Sequence, residues 1–469
     1  MLRSALVTMT LVALGTVATS QTPRIDTKKL DGIVDRAVPS REAPGVLVGV
    51  ASEGKLIYSR ARGMADLENN VPLNPQMLMR IGSITKTFTA VLSMKLVEEG
   101  VWTLDTRARA LLPDLPESWD PVTVRHLLEH SSGIPSYTDL PLFWMEWMGR
   151  PVSPRNILKL VTDLPVVSEP GKKFAYNNSG YVLLGLMLEK QEGKSYQEIL
   201  NDRIMKPLGI KRTFFVTNQR LLPNRARGFE STPTGMAHAS YINMVWPYSA
   251  GSIESTLADL ATWSHALMTG QILKPETLKK MWKETVFEGK LTEYGYGFVV
   301  QNRGKEELIG HSGGINGFVS DMVFVPSKKL TVIVLANRED VSAPQISQKI
   351  LTEMDPTLKN PEPQPEQDLN PVATRKDEET LRKLLVNQVS DDEFDPTTLR
   401  QLNAAVRAQA AQSFRPWGRL EKFSFLKEMS DGKMTSREYR AQFQYELMIF
   451  RISRNAEGKI TGLLMRPMP

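Results

Sequence analysis

The sequence predicts an α+β fold, a three-layer arrangement in which helices flank an antiparallel sheet and a helical subdomain is inserted between its strands. Three observations carry this reading. The β-rich runs Gly45–Ala51 and Lys55–Ser59 flank Ser52-Glu53-Gly54 as a hairpin, and Gly295–Gln301, Glu306–Gly310, Phe318–Val325 and Leu330–Ala336 follow one another across tight turns much later. From about Leu104 to Ser240, between these two groups of strands, helical periodicity dominates, broken by Pro and Gly. Strands at both ends of one helical block imply a single sheet completed from both sides.

Taken in order, Ile25 to Ala37 places Leu30, Ile33 and Val34 on one helical face. After the hairpin, Ile84, Phe88, Val91, Leu92 and Leu96 recur at helical spacing up to Gly100, which can end the helix. Val122–Glu129, Asn156–Leu164, Ser179–Gln191, Tyr196–Met205 and Ala258–Met268 read as further helices, and Pro344–Met354 closes the unit. Asp355 to Pro371 holds five prolines and reads as a linker. Beyond it, Glu378–Val389 and Thr397–Ala411 look helical. Leu420–Lys427, Thr435–Gln444, Tyr445–Arg454 and Ile460–Arg466 look like strands, with Tyr439, Ala441 and Phe443 alternating with polar residues. The expected organisation is a signal segment over 1–20, a main domain over 21–354, a linker over 355–372 and a small α+β domain over 373–469. No internal repeat links the two domains.

A chain of 469 residues, 41% hydrophobic and 23% charged, has the composition of a folded globular protein of more than one domain. The net charge of +6 is spread through interleaved acids and bases, which gives no array for nucleic acid. With no cysteine, thiolate nucleophiles, disulfides and thiolate zinc sites are excluded. Arg3 precedes an apolar run from Ala5 to Val17, then Ala18-Thr19-Ser20 before Gln21, the pattern of a cleaved export signal. The run is short for a permanent span, so the expectation is a periplasmic or secreted protein with no membrane span after cleavage.

Ser83 and Lys86 are the first candidates for chemistry. Three residues apart at the start of a helix, hydroxyl and amine share a face, and the helix dipole favours negative charge developing at Ser83. Burial would ease the loss of the lysine proton. Ser-x-x-Lys also occurs at Ser52/Lys55, Ser424/Lys427 and Ser430/Lys433, each in a strand- or turn-like setting. Gly310-His311-Ser312-Gly313-Gly314 fits a nucleophile elbow, but that elbow needs a later histidine, and His311 is the last of the five. His126-Leu127-Leu128-Glu129-His130 fits an inverted zinc-peptidase pattern with both imidazoles on one helix face, yet no third ligand stands out and Ser131-Ser132-Gly133 ends the helix. Its plainer reading is support for a loop beside a cleft. Tyr176 and Asn178 lie on a turn into a helix, where a phenol can relay a proton and an amide can orient it.

In chain order, Ser83-x-x-Lys86, Tyr176-x-Asn178 and His311-Ser312-Gly313 resemble the three motifs of the penicillin-recognising serine hydrolases, in the branch of class C β-lactamases, D-alanyl-D-alanine carboxypeptidases and related esterases. Arg125 to Ile134, Gly251 to Leu260 and Tyr294-Gly295-Tyr296-Gly297 are similar to other segments of that family, and the resemblance covers about residues 25 to 353. It implies the β-lactamase/transpeptidase-like fold and an acyl-enzyme on Ser83, with Lys86 and Tyr176 handling its proton. Asn178 would hold the substrate amide or Lys86, and His311 would face the site from a strand edge. Backbone N–H groups of Ser83, Gly313 and Gly314 would receive the oxyanion. No metal or cofactor is implied. The substrate would be a small molecule or peptide: a D-alanyl peptide, an ester or a β-lactam. His311 stands where many β-lactamases of the branch carry Lys, which turns the expectation toward peptidase-like and esterase-like chemistry. The other expectation of the same fold is a slowly acylated or non-catalytic sensor. Oligomeric state is not legible.

Overall fold

A computed structural model describes residues 25–468 except 217–219, 233–234, 288, 362, 415–416, 431 and 433. The expected signal segment lies outside the described residues. No helix among the described residues is long and apolar enough to cross a membrane.

Helix α1 (Thr27–Ala37) is capped by Asp26, whose carboxylate accepts the Lys29 N–H. Strands β1 (Val46–Ser52) and β2 (Lys55–Arg62) form the expected hairpin. Helix α2 (Thr85–Glu98) follows, then short helices up to α3 (Asn178–Glu192) and later α4 (Leu257–Met268). Strands β3 (Val299–Arg303), β4 (Glu306–Ile315), β5 (Phe318–Val325) and β6 (Leu330–Ala336) precede helix α5 (Ala343–Met354). The sheet order is β3-β4-β5-β6-β1-β2, all antiparallel. Its central pairing runs from Val46↔Ala336 to Ser52↔Leu330, so the early hairpin completes a sheet made mostly of late residues.

Period-two alternation explains the layers. Val46, Val48 and Val50 of β1 join Leu330, Val332 and Val334 of β6 in a core under α1 and α5, while Leu47, Ala51, Ile333 and Leu335 point to the opposite core around α2. Both faces are covered, so these strands read as continuous apolar runs. Each fully buried Val or Leu stabilises the layer by about 1.5–3 kcal/mol. Helix α2 is enclosed nearly all round, and its buried polar residues are partnered: Thr87 Oγ1 accepts the Trp263 indole N–H, and Thr89 Oγ1 donates to the Ser249 carbonyl.

A third core joins Leu381, Phe425, Tyr439, Phe450 and Ile460. Helix α6 (Pro371–Leu385) packs there with the antiparallel strands β7 (Leu420–Ser430), β8 (Met434–Phe443), β9 (Leu447–Asn455) and β10 (Ile460–Pro467). Within the proline-rich stretch, the Glu366 N–H donates to the Leu426 carbonyl and Asp368 pairs with Arg437 at 2.7 Å.

Some boundaries differ from the sequence expectation, for local reasons. The first late strand begins at Val299 instead of Gly295 because the chain turns at Gly297, where φ is +81°. Strand β4 runs on past Gly310 to Ile315, so His311 to Gly314 lie inside the ladder. The helix expected over Thr397–Ala411 is two, Pro396–Gln401 and Ala404–Phe414, because the Asn403 side chain accepts the Ala405 and Val406 N–H groups and starts a new helix.

Candidate active site

Ser83 sits on a single 3-10 turn, Gly82–Ile84, that runs into α2. The turn is pressed against β4. Gly82 has φ +48°, and a Cβ there would come 2.8 Å from the Gly314 nitrogen, so both conformation and space call for glycine. A Cβ on Gly313 would come 2.1 Å from the Ile81 carbonyl oxygen, and Ser320 Oγ donates to that same carbonyl at 2.9 Å. Glycines thus bring the backbone of β4 beside the backbone of Ser83.

Lys86 lies one turn on and is fully buried. Its Nζ is 2.9 Å from Ser83 Oγ and donates to the Ala250 carbonyl, also at 2.9 Å. Burial holds its pKa well below the usual 10.5, because no carboxylate compensates the desolvated ammonium. A neutral amine keeps one lone pair. With an N–H committed to Ala250, that lone pair is open to the Ser83 hydroxyl.

Tyr176 precedes α3 and leans over this pair. Lys86 Nζ is 4.8 Å from its ring centroid, and its phenol lies within hydrogen-bonding reach of Ser83. The residue as a whole is 41% exposed, while its hydroxyl end is packed into the site, and burial raises the phenol above its usual range. Asn178 is turned elsewhere. Its N–H donates to Ser136 Oγ (3.2 Å) and its side-chain amide to Thr138 Oγ1 (3.0 Å), with no hydrogen bond to Lys86. The neighbouring Asn177 is the helix cap, its Oδ1 accepting the Gly180 N–H at 2.7 Å.

His311 is buried on β4, its Nε2 3.0 Å from the Tyr294 hydroxyl and its Nδ1 2.5 Å from the Ser312 carbonyl. Burial, reinforced by the nearby Lys86, pulls its pKa down from 6.5 to about 3. The site therefore gathers Ser83, Lys86, Tyr176, His311, Gly313 and Gly314, with Asn178 at its margin.

Sequence reasoning missed the Ala250 carbonyl and the pair His130 and Tyr294. His130 Nε2 lies 3.2 Å from the same Tyr294 hydroxyl, joining it to His311. Both residues lie in motifs visible in the sequence, but the spacing of His126 and His130 points to a metal pattern on one helix face. The short helix ends at Leu128 and His130 has φ +60°, so His126 and His130 do not share a helix face. His126 Nδ1 accepts the Thr123 N–H at the helix start. Among the described residues, no group of three or more His, Asp or Glu is arranged to hold a metal. The other Ser-x-x-Lys copies fall apart as well: Ser52 and Lys55 flank the hairpin turn, Lys427 pairs with Glu438 on a neighbouring strand, and Lys433 lies outside the described residues. Ser312 sits inside β4, with no strand-to-helix turn behind it.

A sequence model of the Beta-lactamase family matches residues 30–351. The chain belongs to the Beta-lactamase family. A penicillin-binding protein of Bacillus subtilis (strain 168) is 29% identical over 313 residues, which are 62% of this family member and 67% of that protein. The D-aminopeptidase of Gluconobacter oxydans (strain 621H) is 26% identical over 66% of this chain and 59% of its own length. The chain thus spans about two thirds or less of the curated relatives it matches. The solved D-amino acid amidase of Ochrobactrum anthropi SV3, complexed with L-phenylalanine amide, superposes with a TM-score of 0.61 at 27% identity, covering 71% of this chain and 99% of the amidase. The octameric penicillin-binding protein homologue from Pyrococcus abyssi shares the fold with a TM-score of 0.66 at 24% identity, over 95% of this chain and 97% of that one. That cover is too wide to stop at residue 354, so the likeness of fold continues into the C-terminal sheet.

Proposed function

We propose that the protein is an exported serine hydrolase that passes an acyl group through Ser83. The observation that carries the reading is the buried amine of Lys86, 2.9 Å from Ser83 Oγ and aimed by its bond to Ala250. Lys86 takes the Ser83 proton as Oγ attacks a carbonyl carbon. The resulting oxyanion is received by the N–H groups of Ser83 and of the Gly313–Gly314 segment, where one donor contributes roughly 3 kcal/mol. Tyr176, whose phenol is within reach of Ser83 and whose ring lies over Lys86, gives its proton to the leaving amine or alkoxide as the acyl–heteroatom bond breaks and is reprotonated from Lys86. It then helps take a proton from the water that releases the acid. Asn178, already bonded to Thr138, orients the substrate amide at the margin of the site.

The relatives named for D-aminopeptidase and D-amino acid amidase activity favour amides and peptides of D-configured residues as the substrate class. Export rests on the apolar segment ahead of Gln21. A fluorescent acylating probe applied to wild type and to Ser83→Ala tests the reading: the wild type should label and the variant should not. Equal labelling of both would overturn it. A single stoichiometric burst with a p-nitrophenyl ester and no turnover would instead indicate a sensor on the same fold.

A further inference from the structure

The backbone of Tyr176 and the ring of His311 are both tied to one residue, His130. The Ala175 N–H donates to the His130 carbonyl at 2.8 Å, and the Asn177 N–H donates to His130 Nδ1 at 3.0 Å. The chain on each side of Tyr176 is therefore bonded to His130, whose ring also lies against the Tyr176 ring at a centroid distance of 4.3 Å. His130 itself is held in the left-handed region, φ +60°, a conformation that persists only when its surroundings impose it.

The protons along the chain can be placed by elimination. A backbone N–H only donates, so His130 Nδ1 is an acceptor and the proton of the neutral ring is on Nε2. That Nε2–H donates to the Tyr294 oxygen. At the far end, His311 Nδ1 faces the Ser312 carbonyl, which only accepts, so Nδ1 carries the proton and Nε2 is bare. The Tyr294 hydroxyl proton then belongs on His311 Nε2. Tyr181, packed beside them, gives its own hydroxyl proton to the Leu128 carbonyl at 2.9 Å and so offers Tyr294 only an acceptor oxygen; were the Tyr294 proton turned to it, two bare lone pairs would face each other across the 3.0 Å to His311 Nε2. Every donor and acceptor in the run is matched once, and both imidazoles are neutral. The same outcome follows from burial: the apolar surroundings disfavour a second proton on either ring.

The bond at the end of this run has a mechanical consequence. The Ser312 carbonyl and the Gly313 N–H belong to one planar peptide unit, so pinning the carbonyl fixes the direction of that N–H. This unit lies in the part of β4 pressed against the Ser83 turn.

We propose that His130 and Tyr294 are positioning residues for acyl transfer at Ser83: His130 sets the backbone of Tyr176, and Tyr294 fixes the tautomer of His311 and through it the Ser312–Gly313 peptide. On this reading His311 has no nitrogen left for the substrate and acts by placing the strand. The proposal rests on the acyl-transfer reading of Ser83 and adds two residues to it.

Tyr294→Phe removes one hydroxyl and leaves the ring. It should lower kcat about ten- to hundredfold with KM within about twofold, since only transition-state contacts are displaced. Imidazole nitrogen NMR of the full-length wild type should show His311 protonated on Nδ1 and His130 on Nε2, and in Tyr294→Phe the His311 tautomer preference should be lost. A folded Tyr294→Phe with wild-type kcat, or a wild-type His311 protonated on Nε2, overturns the proposal. The wild-type spectrum decides even where the variant fails to fold. A wild type that never labels at Ser83 would count against acyl transfer itself, which the tautomer measurement does not depend on.

Discussion

The Lys86 amine and the Ala250 carbonyl, 164 positions apart in sequence, share a 2.9 Å hydrogen bond inside the core. That bond orients an otherwise mobile amine, and burial makes it easy to deprotonate. Two outcomes are expected. Lys86→Met should abolish Ser83 labelling, by about 10²–10⁴-fold, the usual contribution of a general base. It should also change the pH dependence of stability. The native state binds fewer protons on Lys86 than the unfolded state between its depressed pKa and 10.5, so this lysine's contribution to stability increases as pH rises through that window. The Tm of Lys86→Met relative to wild type should therefore be more favourable at pH 7 than at pH 10, as thermal melts at the two pH values would show.

Gly313 and Gly314 are adjacent but should not respond alike to alanine. A Cβ at 313 would come 2.1 Å from the Ile81 carbonyl and push β4 off the Ser83 turn, whereas a Cβ at 314 meets nothing within 4 Å. Gly313→Ala should cost about 10²-fold or more in kcat/KM, the scale of losing one oxyanion donor. Gly314→Ala should hold stability within about 0.5 kcal/mol, as an unobstructed substitution does. Ester turnover and melting temperatures of the two variants compare them directly.

The residues legible from sequence are those whose geometry is local. Ser83 and Lys86 meet because three residues of helix bring them together, and the alternating cores of β1 and β6 follow from continuous apolar runs. Long-range partners were not legible. Nothing around Ala250 marks its carbonyl as the acceptor for Lys86, since any backbone carbonyl could serve. His130 was misplaced because its i,i+4 spacing from His126 presumes a helix, and the helix stops at Leu128. Asn178, expected to hold Lys86 or substrate, has its amide on Thr138, and Asn177 took the capping role that either residue could fill. His311 was legible as a site residue, while its inward hydrogen bonds depend on Tyr294, which arrives from a separate turn before β3.

His311 should make the fold acid-sensitive. Its pKa is about 3 when folded and near 6.5 when unfolded, so the native state binds fewer protons between these values and stability is lost as pH falls through that window. Between pH 6.5 and 4 the loss from this one group is on the order of 3 kcal/mol. His311→Gln should show a shallower fall in denaturation midpoint over that range, and an unchanged slope would contradict the buried neutral imidazole.

Asp321 should act with the opposite sign on the other face of the same sheet. It pairs across the ladder with Ser312 and lines a cleft of about 160 Å³ between β4, β5 and α5, beside Ser347. Burial raises its carboxyl from 3.8 to about 7, with only the Ser347 hydroxyl opposing the shift. The native state therefore binds more protons than the unfolded state between these values, and the stability that goes with the protonated form is lost as pH rises through the window. Asp321→Asn keeps the shape and removes the charge. It should stabilise the protein at pH 8 by a few kcal/mol, since about three pKa units correspond to roughly 4 kcal/mol, and by much less at pH 5. Chemical denaturation at the two pH values measures this directly. Because Asp321 faces α5 while His311 faces Ser83, the variant should leave Ser83 labelling intact, separating a stability effect behind the strand from chemistry in front of it.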